Sequence, residues 1–187
     1  MELIGIQKTK DGKYLKNYEL TYLNKAGHEK KYEIVSHSEI AEPSQIGSRV
    51  SGMVIAAICE GKLLLLKEFR MGVNKAVYNL CAGMIENDES MEDCIARELY
   101  EETGLKLKRI LKVLPAAFAA VALSDIKNQM VFTEVEGSIE DNTSENEQIK
   151  AAFYTKEEVA RMLENEEFSA RAQSVAYFFS IGAFDNI

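Results

Sequence analysis

The sequence predicts a fold of the α/β or α+β class, in which helices are layered on a β-sheet. Apolar runs at 53–59 and 62–69, joined by Glu60-Gly61, indicate a hairpin that is buried on both faces. A helical pattern follows at 90–103, and short strand patterns fill residues 1–40. With 187 residues, the chain is long enough for one such domain and a small additional arm.

The N-terminal part of the chain predicts a small antiparallel β arm. Asp11-Gly12 suits a tight hairpin turn, and residues 24–27 suit a second turn. Three short strands cannot bury a core alone, so the arm must pack on the rest of the chain or on a second subunit. A change in composition at 42–45 places the boundary between an arm at 1–46 and a main domain at 47–187.

Capping signals predict where the helices of the main domain begin and end. Ser90, followed by Asp93, begins the first helix, and Gly104 ends it in a left-handed conformation. Thr155 and Glu158 form a capping-box pattern that begins a second helix. The other expected elements are strands at 78–81, 108–114, 129–136 and 149–154 and a last helix at 169–181.

Composition excludes several classes of protein. The chain has 22 Lys and Arg against 30 Asp and Glu, a net charge of −8, which argues against a nucleic-acid-binding protein. The longest apolar stretch, 113–123, is about half as long as a membrane span and contains Pro115. The N-terminus has no secretory signal pattern, and the three cysteines have no metal-ligand spacing. We therefore expect a cytoplasmic protein with buried free thiols.

Three glutamates share one face of the helix predicted at 90–103. Glu98, Glu101 and Glu102 fall within an arc of about 100°, beside the apolar stripe of Ile95 and Leu99. Like charges at this spacing destabilise a helix, so a positive group should compensate them. A solvated acidic face is the alternative interpretation.

Two positive groups are candidates for that compensation. Arg97 precedes Glu101 by four residues, the weaker orientation for helix stability, which favours a role in positioning a carboxylate. The other candidate is a divalent cation such as Mg²⁺, which prefers oxygen ligands from one or two carboxylates and substrate phosphates.

The residues around these glutamates complete a longer pattern. It reads Gly, five residues, Glu, seven residues, Arg-Glu-aliphatic, one residue, Glu-Glu, one residue, Gly-aliphatic. A chance match to its charged and glycine positions has a probability of about one in a million. The segment resembles the box of the Nudix hydrolases at every fixed position: Gly83, Glu89, Arg97, Glu98, Leu99, Glu101, Glu102, Gly104 and Leu105.

The resemblance implies an α/β/α sandwich with a mixed sheet. It also implies Mg²⁺- or Mn²⁺-dependent hydrolysis of a nucleoside diphosphate linked to another group. Glu98 and Glu102 would be the leading metal ligands, with Glu101 as a third and the backbone carbonyl of Ala82 as a fourth.

The same resemblance implies roles for the other box residues. Arg97 would orient the carboxylates, and Glu89 would orient the helix or hold a metal-bound water. Gly83 and Gly104 would provide the loop turns.

The residues flanking the box resemble the ADP-ribose pyrophosphatase branch of the family. Arg49 and Arg70 would then bind the diphosphate of the substrate; surface ion pairs are the alternative. Glu145 or Glu147 would act as the general base or hold the metal-bound water, with Glu101 as the next candidate, although composition alone indicates an exposed polar loop there.

One departure from this branch follows Pro115, where an apolar loop replaces a Pro-Gly loop. Phe118 in this loop either stacks on a base or sugar of the substrate or packs in the core or on a partner.

The branch also implies a homodimer formed through residues 1–46. We expect hydrolysis of ADP-ribose to AMP and ribose 5-phosphate. The alternatives are another nucleotide sugar, a dinucleotide or NADH as substrate, or a nucleotide-sensing module without catalysis.

Overall fold

A computed structural model describes residues 1–86, 88–185 and 187, which divide into two compact units. The first unit is larger than the predicted arm because a segment from the middle of the chain joins it. The first unit comprises Met1–Gly52 and Ala116–Gln129, and the second comprises Met53–Pro115 and Met130–Ile187. The boundary at 46/47 and the role of the arm in dimerisation remain predictions.

A three-stranded antiparallel sheet forms the main part of the first unit. Its strands are β1 (Glu2–Asp11), β2 (Lys16–Leu23) and β3 (Glu29–Ser36), in that order. Both predicted turns are present, since the Gly12 amide donates to the Leu15 carbonyl at 3.1 Å and Gly27 has a φ of 78°. Residues 116–129 pack on this sheet, where the Tyr32 hydroxyl donates to the Ala122 carbonyl at 2.7 Å.

A larger sheet runs in the order β11-β5-β4-β10-β8, with β6 paired to β5, β7 to β4 and β9 to β10. Its strands are β4 (Val50–Cys59), β5 (Lys62–Arg70), β6 (Lys75–Asn79), β7 (Cys81–Met84), β8 (Lys106–Val113), β9 (Ala117–Phe118), β10 (Lys127–Glu136) and β11 (Ile149–Tyr154). The single strand expected at 78–81 is wrong, because the chain leaves one strand at Asn79 and enters the next at Cys81. The short strand β9 and a 3-10 helix at Pro43–Gln45 were not predicted.

Helices cover both faces of the central strands. Along β5, Leu64 and Leu66 belong to the core beneath α1 (Met91–Thr103), whereas Leu63 and Leu65 belong to the opposite core. That second core includes residues of α2 (Lys156–Asn165) and α3 (Ala170–Ser180). A strand buried on both faces explains the continuous apolar run. The predicted α/β class is therefore confirmed.

The three cysteines follow the expectation of free thiols. Cys59, Cys81 and Cys94 are free, and the latter two are buried. Within the described part of the chain, no helix combines the length and apolar character that a bilayer crossing requires.

Candidate active site

Helix α1 is fixed at both ends and along one side. Ser90 caps its first turn by accepting a hydrogen bond from the Asp93 amide at 3.1 Å. Gly104 ends the helix with a φ of 77°, and a β-carbon there would also lie 2.7 Å from the β-carbon of Glu140. The fully buried side chains of Ile95 and Leu99 set the rotation of the helix, which turns Glu98 towards the sheet.

Strand β7 lies directly against the carboxylate of Glu98. A β-carbon at Gly83 would overlap that carboxylate, so the strand needs glycine at this position. The expectation that Gly83 forms a loop turn is wrong, because Gly83 lies within β7 and its missing side chain makes room for Glu98. The side chain of Glu98 is only 12% exposed.

Arg97 forms hydrogen bonds to three of the box carboxylates, those of Glu89, Glu98 and Glu101. Its Nε and Nη2 donate to the two oxygens of Glu89 at 2.7 and 3.0 Å, so that two of the three guanidinium nitrogens pair with both carboxylate oxygens. Its Nη1 donates to Glu98 at 2.8 Å and to Glu101 at 3.1 Å, and its Nη2 also donates to the Met84 carbonyl at 3.0 Å. The ion pair lowers the pKa of Glu89 to about 2.

Glu102 extends from α1 to the backbone of β7, where the Ala82 amide donates to its Oε2 at 3.2 Å. Burial, reinforced by the negative charges of Glu98 and Glu68, raises the pKa of Glu102 to about 8. Burial also raises the pKa of Glu98, although Arg97 opposes that shift. The positive charges and hydrogen bonds around Glu98 and Glu102 therefore do not fully offset the cost of burying their charged forms.

The donor set around β7 fits a hard divalent cation. Glu98, Glu102 and the backbone of Ala82 could offer oxygen ligands from two adjacent elements, and a cation would stabilise the charged carboxylates. Glu101 is 57% exposed on its side chain and lies at the rim of this group, bonded to Arg97. Among the described residues, no three carboxylate, thiol or imidazole side chains already converge as a group ready to hold a metal.

Arg70 lies at the end of β5 with 58% of its side chain exposed and forms an ion pair with Glu68. The Asn79 amide donates to the other oxygen of Glu68 at 3.0 Å, and the Ser169 hydroxyl donates to Asn79 at 2.7 Å. Sequence reasoning missed Glu68, although its position two residues before Arg70 puts both on one face of the strand. We call these four residues, Glu68, Arg70, Asn79 and Ser169, the Glu68 network.

The loop that carries Glu145 and Glu147 is anchored at its start to the end of α1 and at its end to β5. At its start, the Glu140 amide donates to the Thr103 carbonyl at 2.9 Å; at its end, the Phe69 amide donates to the Gln148 carbonyl at 3.0 Å. Glu147 accepts a hydrogen bond from the Ser144 hydroxyl at 2.9 Å and closes its own turn. Both glutamates are exposed, and no hydrogen bond found in the described residues joins either one to the carboxylates of α1.

Arg49 belongs to the first unit. It is exposed and lines a small polar cavity there, together with His37, Gln45 and Asp125. Its expected contact with a diphosphate therefore remains a prediction.

Comparisons with known proteins agree with the pattern of the box. A profile of the NUDIX domain family matches residues 49–177. ADP-ribose pyrophosphatase from Bacillus subtilis (strain 168) is 27% identical over 143 residues, which cover 75% of this chain and 71% of that protein. NAD-capped RNA hydrolase NudC from Vibrio parahaemolyticus is 37% identical over 62 residues, which cover 33% of this chain and 24% of that protein.

A solved structure described as an ADP compounds hydrolase has the same fold. It superimposes with a TM-score of 0.70, covering 94% of this chain and 89% of that one, at 19% sequence identity. The agreement in fold extends well beyond the box, whereas the match to NudC covers only about a quarter of that protein's length.

Proposed function

Because this chain belongs to the Nudix hydrolase family, we propose that it hydrolyses the phosphoanhydride of a nucleoside diphosphate linked to another group. ADP-ribose is the leading substrate, with AMP and ribose 5-phosphate as products. The observation that carries this proposal is the arrangement at β7, where Gly83 makes room for Glu98 and the Ala82 amide holds Glu102. The similarity to a Bacillus subtilis ADP-ribose pyrophosphatase, over 75% of this chain, supports the choice of substrate.

The residues of α1 would organise the reacting groups. Glu98 and Glu102, with Glu101 and the Ala82 carbonyl, would hold Mg²⁺ or Mn²⁺, which when bound withdraws charge from the phosphate oxygens and promotes attack by water. Arg97 keeps Glu98 and Glu101 in place through the hydrogen bonds of its Nη1. Glu89 in turn holds Arg97, so it acts on the site through the guanidinium.

A base completes the reaction. The water oxygen forms a bond to one phosphorus, the bridging P–O bond breaks, and the water proton passes to a carboxylate of Glu145 or Glu147. The position of their loop, anchored at Thr103 and at Phe69, supports this assignment. Arg70 and Arg49 would bind the diphosphate, because guanidinium groups match phosphate geometry.

We further propose a homodimer in which residues 1–46 contact the second subunit, as the branch implies. The three free thiols suit a reducing compartment, which supports a cytoplasmic location. A second candidate substrate class is a dinucleotide or NADH; the 37% identity to a NAD-capped RNA hydrolase, NudC, over 62 residues favours it.

Product release from a panel of substrates tests the proposal. With Mg²⁺ present, we expect nucleoside monophosphate to form faster from ADP-ribose than from NADH, dinucleotides or other nucleotide sugars. Glu102→Gln should lower the rate at least about a hundredfold, because it removes a charged oxygen ligand. Glu92→Gln, an exposed change in the first turn of the same helix, is the matched control. Tight nucleotide binding without turnover would instead indicate a sensing module.

A further inference from the structure

A cluster of three charged side chains lies outside the Nudix box. Glu68 and Arg70 lie on β5, and Arg171 lies in the first turn of α3, which packs against β5 and β6. The pattern of the box assigns no role to Glu68 or Arg171. Together the three side chains carry one net positive charge in a protein whose net charge is −8.

Hydrogen bonds fix the start of α3 beside Glu68. The Ser169 amide donates to the Tyr78 carbonyl at 2.9 Å, and the Tyr78 amide donates to the Glu167 carbonyl at 2.8 Å. The Ser169 side chain caps α3 and also donates to Asn79, which donates to Glu68. This chain of contacts places the first turn of α3, which carries Arg171 two residues after Ser169, beside Glu68.

The charges in this cluster act on one another. Arg171 is half-buried; burial and then the positive charge of Arg70 lower its pKa, whereas the charge of Glu68 raises it. The charge of Glu68 also raises the pKa of Glu102, so the cluster lies within electrostatic range of the box carboxylates. Glu68 is therefore paired with Arg70 and lies within electrostatic range of Arg171.

We propose that Arg171 binds a phosphate group of the substrate together with Arg70, and that Glu68 is the positioning residue for Arg70. An anionic substrate approaching the glutamates of α1 needs positive groups beside its phosphates, and paired guanidinium groups supply charge with directional donors. Glu68 holds Arg70 through their ion pair, and the Asn79–Ser169 contacts fix the turn of α3 that carries Arg171 beside Glu68. The proposal depends on the function proposed above, since it names a contact for that substrate.

The test uses inorganic pyrophosphate as a probe, with a chelator present so that no metal contributes. Its dissociation constant is measured by calorimetry for the full chain and its variants. We expect Arg171→Gln to weaken pyrophosphate binding about tenfold or more, as loss of a charged hydrogen bond does. The KM for the best nucleotide substrate should rise similarly while kcat changes little, because a contact made equally in ground and transition states alters KM. Arg109→Gln, which removes a guanidinium paired with Glu134 on β10, is the matched control.

Several outcomes would overturn the inference. These are an Arg171→Gln variant that binds pyrophosphate as tightly as the original chain, an original chain that does not bind pyrophosphate, or a loss confined to kcat. If Arg171→Gln fails to fold, Arg171→Met keeps the half-buried stem apolar and must show the same loss of binding. Loss of pyrophosphate binding in a protein that hydrolyses no ADP-sugar would uphold this site and contradict the proposed substrate. If Arg171→Gln binds pyrophosphate normally and the original chain hydrolyses an ADP-sugar, this site is contradicted and the proposed substrate is upheld.

Discussion

Glu89 and Glu98 of the box and the glutamates of the loop before β11 have opposite environments within one unit. The side chains of Glu89 and Glu98 are each 12% exposed, and both bond to Arg97. Glu145 and Glu147 are exposed, and the hydrogen bonds of Glu147 close its own turn with Ser144. Arg97 thus holds Glu89 and Glu98 in one arrangement before any ligand binds, whereas the loop carries carboxylates that packing does not fix. Mutations at the box should therefore disturb both structure and metal binding, whereas mutations of the loop glutamates should affect proton transfer alone.

Gly83→Ala should have the largest effect, because it disrupts the fixed arrangement. The added methyl group would overlap the Glu98 carboxylate, so that the carboxylate or strand β7 must move. We expect kcat/KM for the best substrate to fall more than about a hundredfold, since small displacements of positioned groups can cost that much. The melting temperature should fall as well. Gly72→Ala is the control, since a β-carbon at Gly72 meets no atom within 4 Å; equal activity of the two variants would contradict the role of Gly83.

Glu145→Gln and Glu147→Gln test the other half of the comparison. We expect one of them to lower kcat about a hundredfold, the usual loss for a general base. Neither should change the melting temperature, because both side chains are exposed. Stopped-time assays of AMP and thermal melts of both variants provide the measurement. If both retain full activity, the base lies elsewhere, and Glu101→Gln becomes the next variant to assay.

The smallest expected effect is a pH dependence of stability in the metal-free protein. The pKa of Glu102 is about 8 in the folded chain, above the ordinary value of 4.5, so folding favours its protonated form. Its stabilising contribution is complete below pH 4.5 and is lost as pH rises through about 8. With a chelator present, the melting temperature should fall by about 3 °C or more between pH 6 and pH 9. Glu102→Gln should flatten this dependence, and an equally steep curve for that variant would assign the effect to another group.

Helix α1 and its neighbours were predictable because local spacing determines them. The positions of Glu98, Glu101 and Glu102 on one face follow from the helical repeat, and the Ser90 and Gly104 caps are as expected. The buried hairpin was also predictable, since a strand covered on both faces shows a continuous apolar run.

Features that depend on distant parts of the chain were not predictable. Gly83 faces Glu98 across two elements, and Asn79 meets Ser169 over 90 positions, so no local pattern indicates either contact. The joining of residues 116–129 to the first unit is a long-range effect of the same kind. The roles of Glu145 and Glu147 were left open for a different reason, since an exposed loop sequence restricts its conformation weakly.

Binding of Mn²⁺ measured by electron paramagnetic resonance tests the central claim most directly, because it needs no substrate. The account predicts that the unmodified chain binds Mn²⁺ and that Glu98→Gln and Glu102→Gln each weaken this binding at least about tenfold, with Glu92→Gln unchanged. Equal Mn²⁺ affinity in the unmodified chain and in both glutamine variants would contradict it.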